Sequence, residues 1–151
     1  MILDQEAVVP APVERVWTFL MDIPAVSRCV PGVEEFTALG PDTFTGALKA
    51  RVGPITVRLQ GRITVAERDH EALRSRLDIQ AAEKRISSSV SAKATMTLVP
   101  RSANETELHV HTEASILGKL GEFGQAIMRR KADQIVGEFA QNVARELTAR
   151  P

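Results

Sequence analysis

The sequence predicts an α+β fold: a curved antiparallel seven-stranded sheet wrapped around one long C-terminal helix, with two short helices after the first strand. Three observations carry that prediction. Between Val33 and Ile116, apolar and polar residues alternate with period two through run after run, as in strands with one buried face. From about Leu117 to Ala149 the apolar period becomes helical. Near the N-terminus, prolines and a short apolar stripe interrupt an otherwise β-rich chain.

Residues 2–9 form the first strand, ending at Pro10. Pro12 suits the first turn of a helix, where its missing N–H would have no partner anyway. Val13, Val16, Trp17 and Leu20 then make an apolar stripe that stops by Asp22-Ile23-Pro24, and a second short helix runs from Ala25 to Val30. Phe44, Gly46, Leu48, Ala50 and Val52 alternate with polar neighbours up to a turn at Gly53-Pro54. Ile55, Val57, Leu59, Gly61, Ile63 and Val65 continue on one face. After the polar turn Asp69-His70-Glu71 come Leu73, Ser75, Leu77 and Ile79, then Val90, Ala92, Ala94, Met96 and Leu98. The last strand turns Leu108, Val110, Thr112, Ala114 and Ile116 inward. One-sided strands joined by short turns make an antiparallel meander with one wet face. The final helical stripe runs from Leu120 through Ile127, Ile135 and Val143 to Leu147; about 30 residues give a helix about 45 Å long, enough to cross a sheet.

A length of 151 residues without linker, repeat or low-complexity tract fits a single domain, 1–151, with one substantial core. Nineteen cations balance nineteen acids, which disfavours indiscriminate binding to nucleic acid or anionic membrane but leaves room for opposed patches. Aromatics are 4% of the chain and Tyr is absent, so base-stacking nucleic-acid platforms lose ground. Cys29 stands alone, so no intrachain disulfide or CxxC motif exists. The opening Met-Ile-Leu-Asp-Gln-Glu lacks a basic signal-peptide region, and no apolar run spans a bilayer. A cytoplasmic protein is the expectation.

The inward set holds no Asp, Glu, Lys, Arg or His in the middle of a strand, so no acid–base constellation converges there. Many inward positions are small, among them Gly46, Ala50, Gly61, Ser75, Ala92 and Ala94. They either let the helix approach closely or leave a hollow. Gly118, Gly121 and Gly124 weaken the helix start, as close contacts with the sheet or as part of a lid beside a pocket mouth.

Several motifs at their joint spacing resemble one family. They are Val9-Pro10-Ala11-Pro12-Val13-Glu14-Arg15-Val16-Trp17, Cys29-Val30-Pro31-Gly32, Val52-Gly53-Pro54-Ile55 with Gly61, and Gly118-Lys119-Leu120-Gly121-Glu122-Phe123-Gly124. The chain resembles the carbon-monoxide dehydrogenase CoxG family, of the START-like SRPBCC superfamily, over nearly its whole length. That resemblance implies a helix-grip fold with a cavity between sheet and helix. It also implies an accessory role to molybdenum-containing CO dehydrogenase or related hydroxylases, by membrane recruitment or delivery of a lipophilic molecule such as a quinone. The chain departs from many relatives at Ala81 to Ser87, where they are Gly-rich, and some relatives continue beyond the position of Pro151.

The leading expectation is a non-enzymatic carrier with no cofactor, holding a lipid or quinone against Leu48, Leu59, Ile63, Leu77, Val90, Met96, Val110, Phe123, Ile127 and Met128. The rivals are a cyclase or hydrolase-like enzyme of the same superfamily and an assembly or scaffold factor that leaves the cavity unused. His109 and His111 share a face with Glu107 and Glu113, but alternation puts all four outside, so a polar row is favoured over a metal site. His70 reads as a solvated turn residue and Cys29 as a buried structural thiol. Lys49, Arg51, Arg58, Arg62, Arg74, Arg76 and Lys93 all face outward with only Asp78 among them. They form either a solvated face or a docking patch for an acidic partner protein or an anionic membrane surface, which would place the protein at the inner face of the membrane.

Overall fold

In a computed structural model describing residues 1–148, the alternating runs become β1 (Ile2–Val9), β2 (Val33–Ala38), β3 (Thr43–Val52), β4 (Ile55–Asp69), β5 (Arg74–Glu83), β6 (Ser88–Ser102) and β7 (Glu105–Leu117). Between β1 and β2 lie α1 (Val13–Met21) and α2 (Ile23–Ser27), and α3 (Gln125–Thr148) ends the described chain. Successive hairpins lay β2 to β7 side by side, and β1 closes the far edge against β7, giving a seven-stranded sheet of order β1-β7-β6-β5-β4-β3-β2. Every pairing is antiparallel.

Three local details differ from the sequence expectation. Helix α2 begins at Ile23, because the Asp22 carboxylate accepts from the Ala25 N–H at 3.3 Å and Pro24 fills the first turn. The long helix begins later than about Leu117. Gly118 (φ 80°) and Gly124 (φ 83°) bracket a 3-10 turn over Lys119–Phe123, leaving α3 with 24 residues, about 36 Å. Ala149 lies outside the described residues. A bulge between Val65 and Glu67 reverses the alternation near the end of β4, so Glu67 stands opposite Arg76 and Asp69 opposite Arg74 on the outer face.

Gly46 and Gly61 face each other across β3 and β4. A Cβ on Gly46 would lie 2.5 Å from the Glu35 carbonyl oxygen, and one on Gly61 2.2 Å from that of Gln80. Their smallness therefore serves neither helix contact nor a hollow; it lets neighbouring strands bend together, curving the sheet.

The core divides into three clusters. Val16, Trp17, Leu20 and Cys29 pack with Leu98, Leu108, Phe139, Val143 and Leu147 at one end. Ile23, Phe44 and Val65 form a second cluster, and Val52, Val57 and Leu120 a third. Burial of Phe139, Val143 and Leu147 at about 1.5–3 kcal/mol each seats the C-terminal half of α3 firmly.

Candidate functional site

The two halves of α3 differ. Its C-terminal half buries Phe139, Ala140, Val143 and Leu147, whereas Ile127, Met128, Ala132, Ile135 and Val136 of the N-terminal half are only half-buried. Across from them, Leu48, Leu59, Ile63, Leu77 and Ile79 on the concave face of β3–β5 are also half-buried. An apolar helix stripe and an apolar sheet face thus lie on either side of the helix–sheet gap, both only half-buried, with Leu59, Ile127 and Met128 packed against Val52, Val57 and Leu120. A recess of about 110 Å³ opens at one edge of this gap, between Ala50 and Ile135.

Of the expected wall residues, Leu59, Val90, Phe123, Ile127 and Met128 gather around Val52, Val57 and Leu120. Leu77 packs against the Ile23–Phe44–Val65 cluster, and Leu48 and Ile63 remain half-buried on the same concave face. Met96 and Val110 do not join them. Met96 is buried in the closed core with Trp17 and Val143, and Val110 packs against that core, because α1 and the C-terminal half of α3 cover this part of the face. Ala132 and Ile135 were absent from the expected wall; their spacing from Met128 along α3 was the signal available.

One end of the gap is stoppered by the segment from Gly118 to Gly124. Leu120 is 1% exposed, and its N–H donates to the buried Ser88 Oγ at 2.9 Å. The Phe123 ring lies over Gly53, 3.4 Å from where a Cβ would stand. Gly118 itself presses on the sheet, since its Cβ would come within 1.9 Å of the Ser87 carbonyl oxygen.

Among the described residues one carboxylate is buried, that of Glu83 at the end of β5, beside Val57 and Arg58 of β4. It accepts from Arg85 Nη2 at 2.9 Å and Nε at 3.2 Å, and from the Arg58 N–H at 2.8 Å. Those Arg85 hydrogen bonds, then that of the Arg58 N–H, hold its carboxyl down at about 2. A group fixed as an anion suits structural anchoring rather than proton donation.

The histidines engage carboxylates. His111 Nδ1 lies 2.6 Å from Asp4 Oδ1, and this hydrogen bond raises its pKa above the usual value. His109 Nδ1 lies 3.2 Å from Glu6. Among the described residues no group of three or more His, Cys, Asp or Glu is placed to hold a metal ion. His70 is more than a solvated turn residue: it stacks on Trp17 at 5.3 Å and meets Glu14 at 2.7 Å. Cys29 is buried, and burial first, then Glu146, pushes its thiol pKa up.

On the outer face, more acids stand among the cations than Asp78 alone. Arg58 pairs with Glu34 and Glu35 at 3.0 Å each, Arg74 with Glu67 at 2.9 Å and Asp69 at 3.7 Å, and Arg76 with Asp78 at 3.6 Å. Sequence alternation missed Glu67 and Asp69 because the β4 bulge turns them outward. Lys49, Arg51, Arg62 and Lys93 form no ion pair among the described residues and are exposed. A groove of about 620 Å³ runs beside the start of β4, lined by Lys49, Thr56, Arg58, Gln60, Lys84 and Arg85 among others. No helix among the described residues is long and apolar enough to cross a membrane.

Known structures share this architecture. A conserved protein from Geobacillus kaustophilus superposes with a TM-score of 0.88 at 20% identity, over 99% of this chain and 96% of that one. A START superfamily protein from Mycobacterium smegmatis gives 0.72 at 10% identity, covering 99% of each chain. The Zhui aromatase/cyclase from Streptomyces sp. R1128 gives 0.68 at 15%, over 99% and 94%. At these identities the likeness establishes the fold, a START-like helix-grip, and not an activity. No match was found among curated proteins. The family model for CoxG, a subunit of carbon monoxide dehydrogenase, matches residues 6–148, nearly the whole chain, and the protein therefore belongs to the CoxG family.

Proposed function

We propose that this chain is a non-enzymatic accessory protein that holds a hydrophobic small molecule, a lipid or a quinone, between the N-terminal half of α3 and the concave face of β3–β5. The observation that carries this reading is the half-burial of the facing apolar side chains: Ile127, Met128 and Ile135 on one side, Leu48, Leu59 and Leu77 on the other, none of them buried. Each 100 Å² of ligand apolar surface removed from water there contributes about 2.5 kcal/mol before association costs. Membership of the CoxG family supports service to a molybdenum-containing CO dehydrogenase or related hydroxylase, by membrane recruitment or quinone delivery, at the cytoplasmic side of the membrane. The ionised, doubly anchored Glu83 favours a carrier over the cyclase chemistry of structural neighbours.

Native mass spectrometry of the gently purified protein, followed by organic extraction, tests the ligand. A bound lipid or quinone is expected, lost in Ala132→Phe, which fills the gap from the half-buried side of α3. Protein that stays ligand-free when offered lipids and quinones contradicts the carrier reading. Turnover of a polyketide or similar small molecule, abolished by the same variant, would favour the enzyme.

Docking falls to Lys49, Arg51, Arg62 and Lys93, the outer-face cations without acidic partners among the described residues, with Arg58, Arg74 and Arg76 held in ion pairs beside them. Combined Lys49→Glu, Arg62→Glu and Lys93→Glu is expected to abolish salt-sensitive binding to the partner enzyme or to anionic liposomes. Unchanged binding sinks the docking patch.

A further inference from the structure

The recess between Ala50 and Ile135 has polar walls that the apolar gap lacks. It is lined on the sheet side by Lys49 and Arg51 and on the helix side by Lys131, Gln134 and Glu138. The Lys49 N–H donates to the Gly32 carbonyl at 2.8 Å and so points away from β4. Strand alternation turns the Arg51 N–H and C=O to the same side. Pairing of β2 with β3 reaches no further than Leu48, so no strand covers these two groups at the recess. On α3, Lys131 donates to Gln134 Oε1 at 3.3 Å, and Gln134 donates to Glu138 at 3.3 Å. The amide chain thus occupies Glu138, while the Lys131 ammonium has no carboxylate partner among the described residues. Three cations stand here against one carboxylate.

The recess is continuous with the apolar gap. Ala50 packs in the same cluster as Phe123, Ile127 and Met128, and Ile135 lies two turns further along α3. A volume of about 110 Å³ admits a small polar group and excludes a whole lipid. We propose that the recess is a headgroup subsite for a single-chain amphiphile with an anionic carboxylate head. The Arg51 N–H and the Lys131 ammonium donate to the carboxylate, and the tail runs along Leu59, Ile127 and Met128. The proposal rests on the carrier reading and narrows its ligand from lipids and quinones in general to anionic amphiphiles.

Calorimetric titration of delipidated protein, below micellar concentrations, tests it with oleate, oleyl alcohol and acetate. Oleate is expected to bind at least ten-fold more tightly than oleyl alcohol at low salt, with acetate showing no binding. Lys131→Met is expected to bring oleate to the level of the alcohol and leave the alcohol unchanged, whereas Lys131→Arg retains the preference. Lys131 is only half-buried on α3, and an unchanged melting temperature checks that each variant is folded. Equal affinity of oleate and oleyl alcohol overturns the subsite while leaving the carrier standing. An oleate preference that survives Lys131→Met also overturns it. Binding of neither chain overturns both.

Discussion

Glu83 and His111 show how single residues act through their partners. Hydrogen bonds from Arg85 and Arg58 keep Glu83 ionised, its pKa lowered from 4.5 to about 2. A lowered carboxyl pKa contributes stability that is complete above the unfolded value and is lost as pH falls through the folded one. Glu83→Gln is therefore expected to lower the melting temperature at neutral pH, with the difference from wild type shrinking between about pH 4.5 and pH 2. For His111, raised chiefly by its hydrogen bond to Asp4, the sign reverses. That contribution is complete below the ordinary value of 6.5 and fades as pH rises through the folded pKa. Asp4→Asn should move the His111 titration seen by NMR downward and cost more stability at acidic than at alkaline pH. An unmoved titration removes Asp4 as the cause. The histidine row was legible in the sequence as an outer, polar feature, because period-two alternation fixes the face. The anchoring of Glu83 was not, since it depends on β5 leaving the sheet where β4 continues, bringing a side-chain oxygen to a backbone N–H on β4.

Among the elements, the Gly118–Gly124 segment decides where the helix begins and what stoppers the gap. Both glycines adopt backbone conformations that cost a side-chain-bearing residue about 1–3 kcal/mol. At Gly124 a Cβ meets nothing within 4 Å, so Gly124→Ala should cost only that strain in urea unfolding. Gly118→Ala adds the collision with Ser87 and should cost clearly more. Leu120→Ala removes the buried plug and is expected to cost about 2–5 kcal/mol. Equal effects of the two glycine substitutions would contradict the contact assigned to Gly118. Strands were the most legible elements, because alternation through Phe44, Leu48 and Val52 or Ile55, Leu59 and Ile63 has one geometric solution. The β4 bulge escaped, since an extra residue leaves no mark on composition; it silently moved Glu67 and Asp69 among the arginines.

For the molecule as a whole, the same sheet and helix bury their facing side chains at one end and leave them half-buried at the other. Trp17, Leu108, Val143 and Leu147 make the closed end, into which Met96 also falls. Leu59, Ile127 and Met128 belong to the open one. Their apolar identity was readable from periodicity. Which of them line a gap depends on how α3 crosses the sheet, and periodicity does not contain that angle. The central claim is that the open end receives a hydrophobic ligand. Methyl NMR during titration of delipidated protein with a long-chain lipid or quinone tests it most directly. Shifts confined to Leu59, Leu77, Ile127, Met128 and Ile135, with Val143 and Leu147 unmoved, are the predicted result. Shifts spread evenly over both ends, or none at all at saturating ligand, would contradict it.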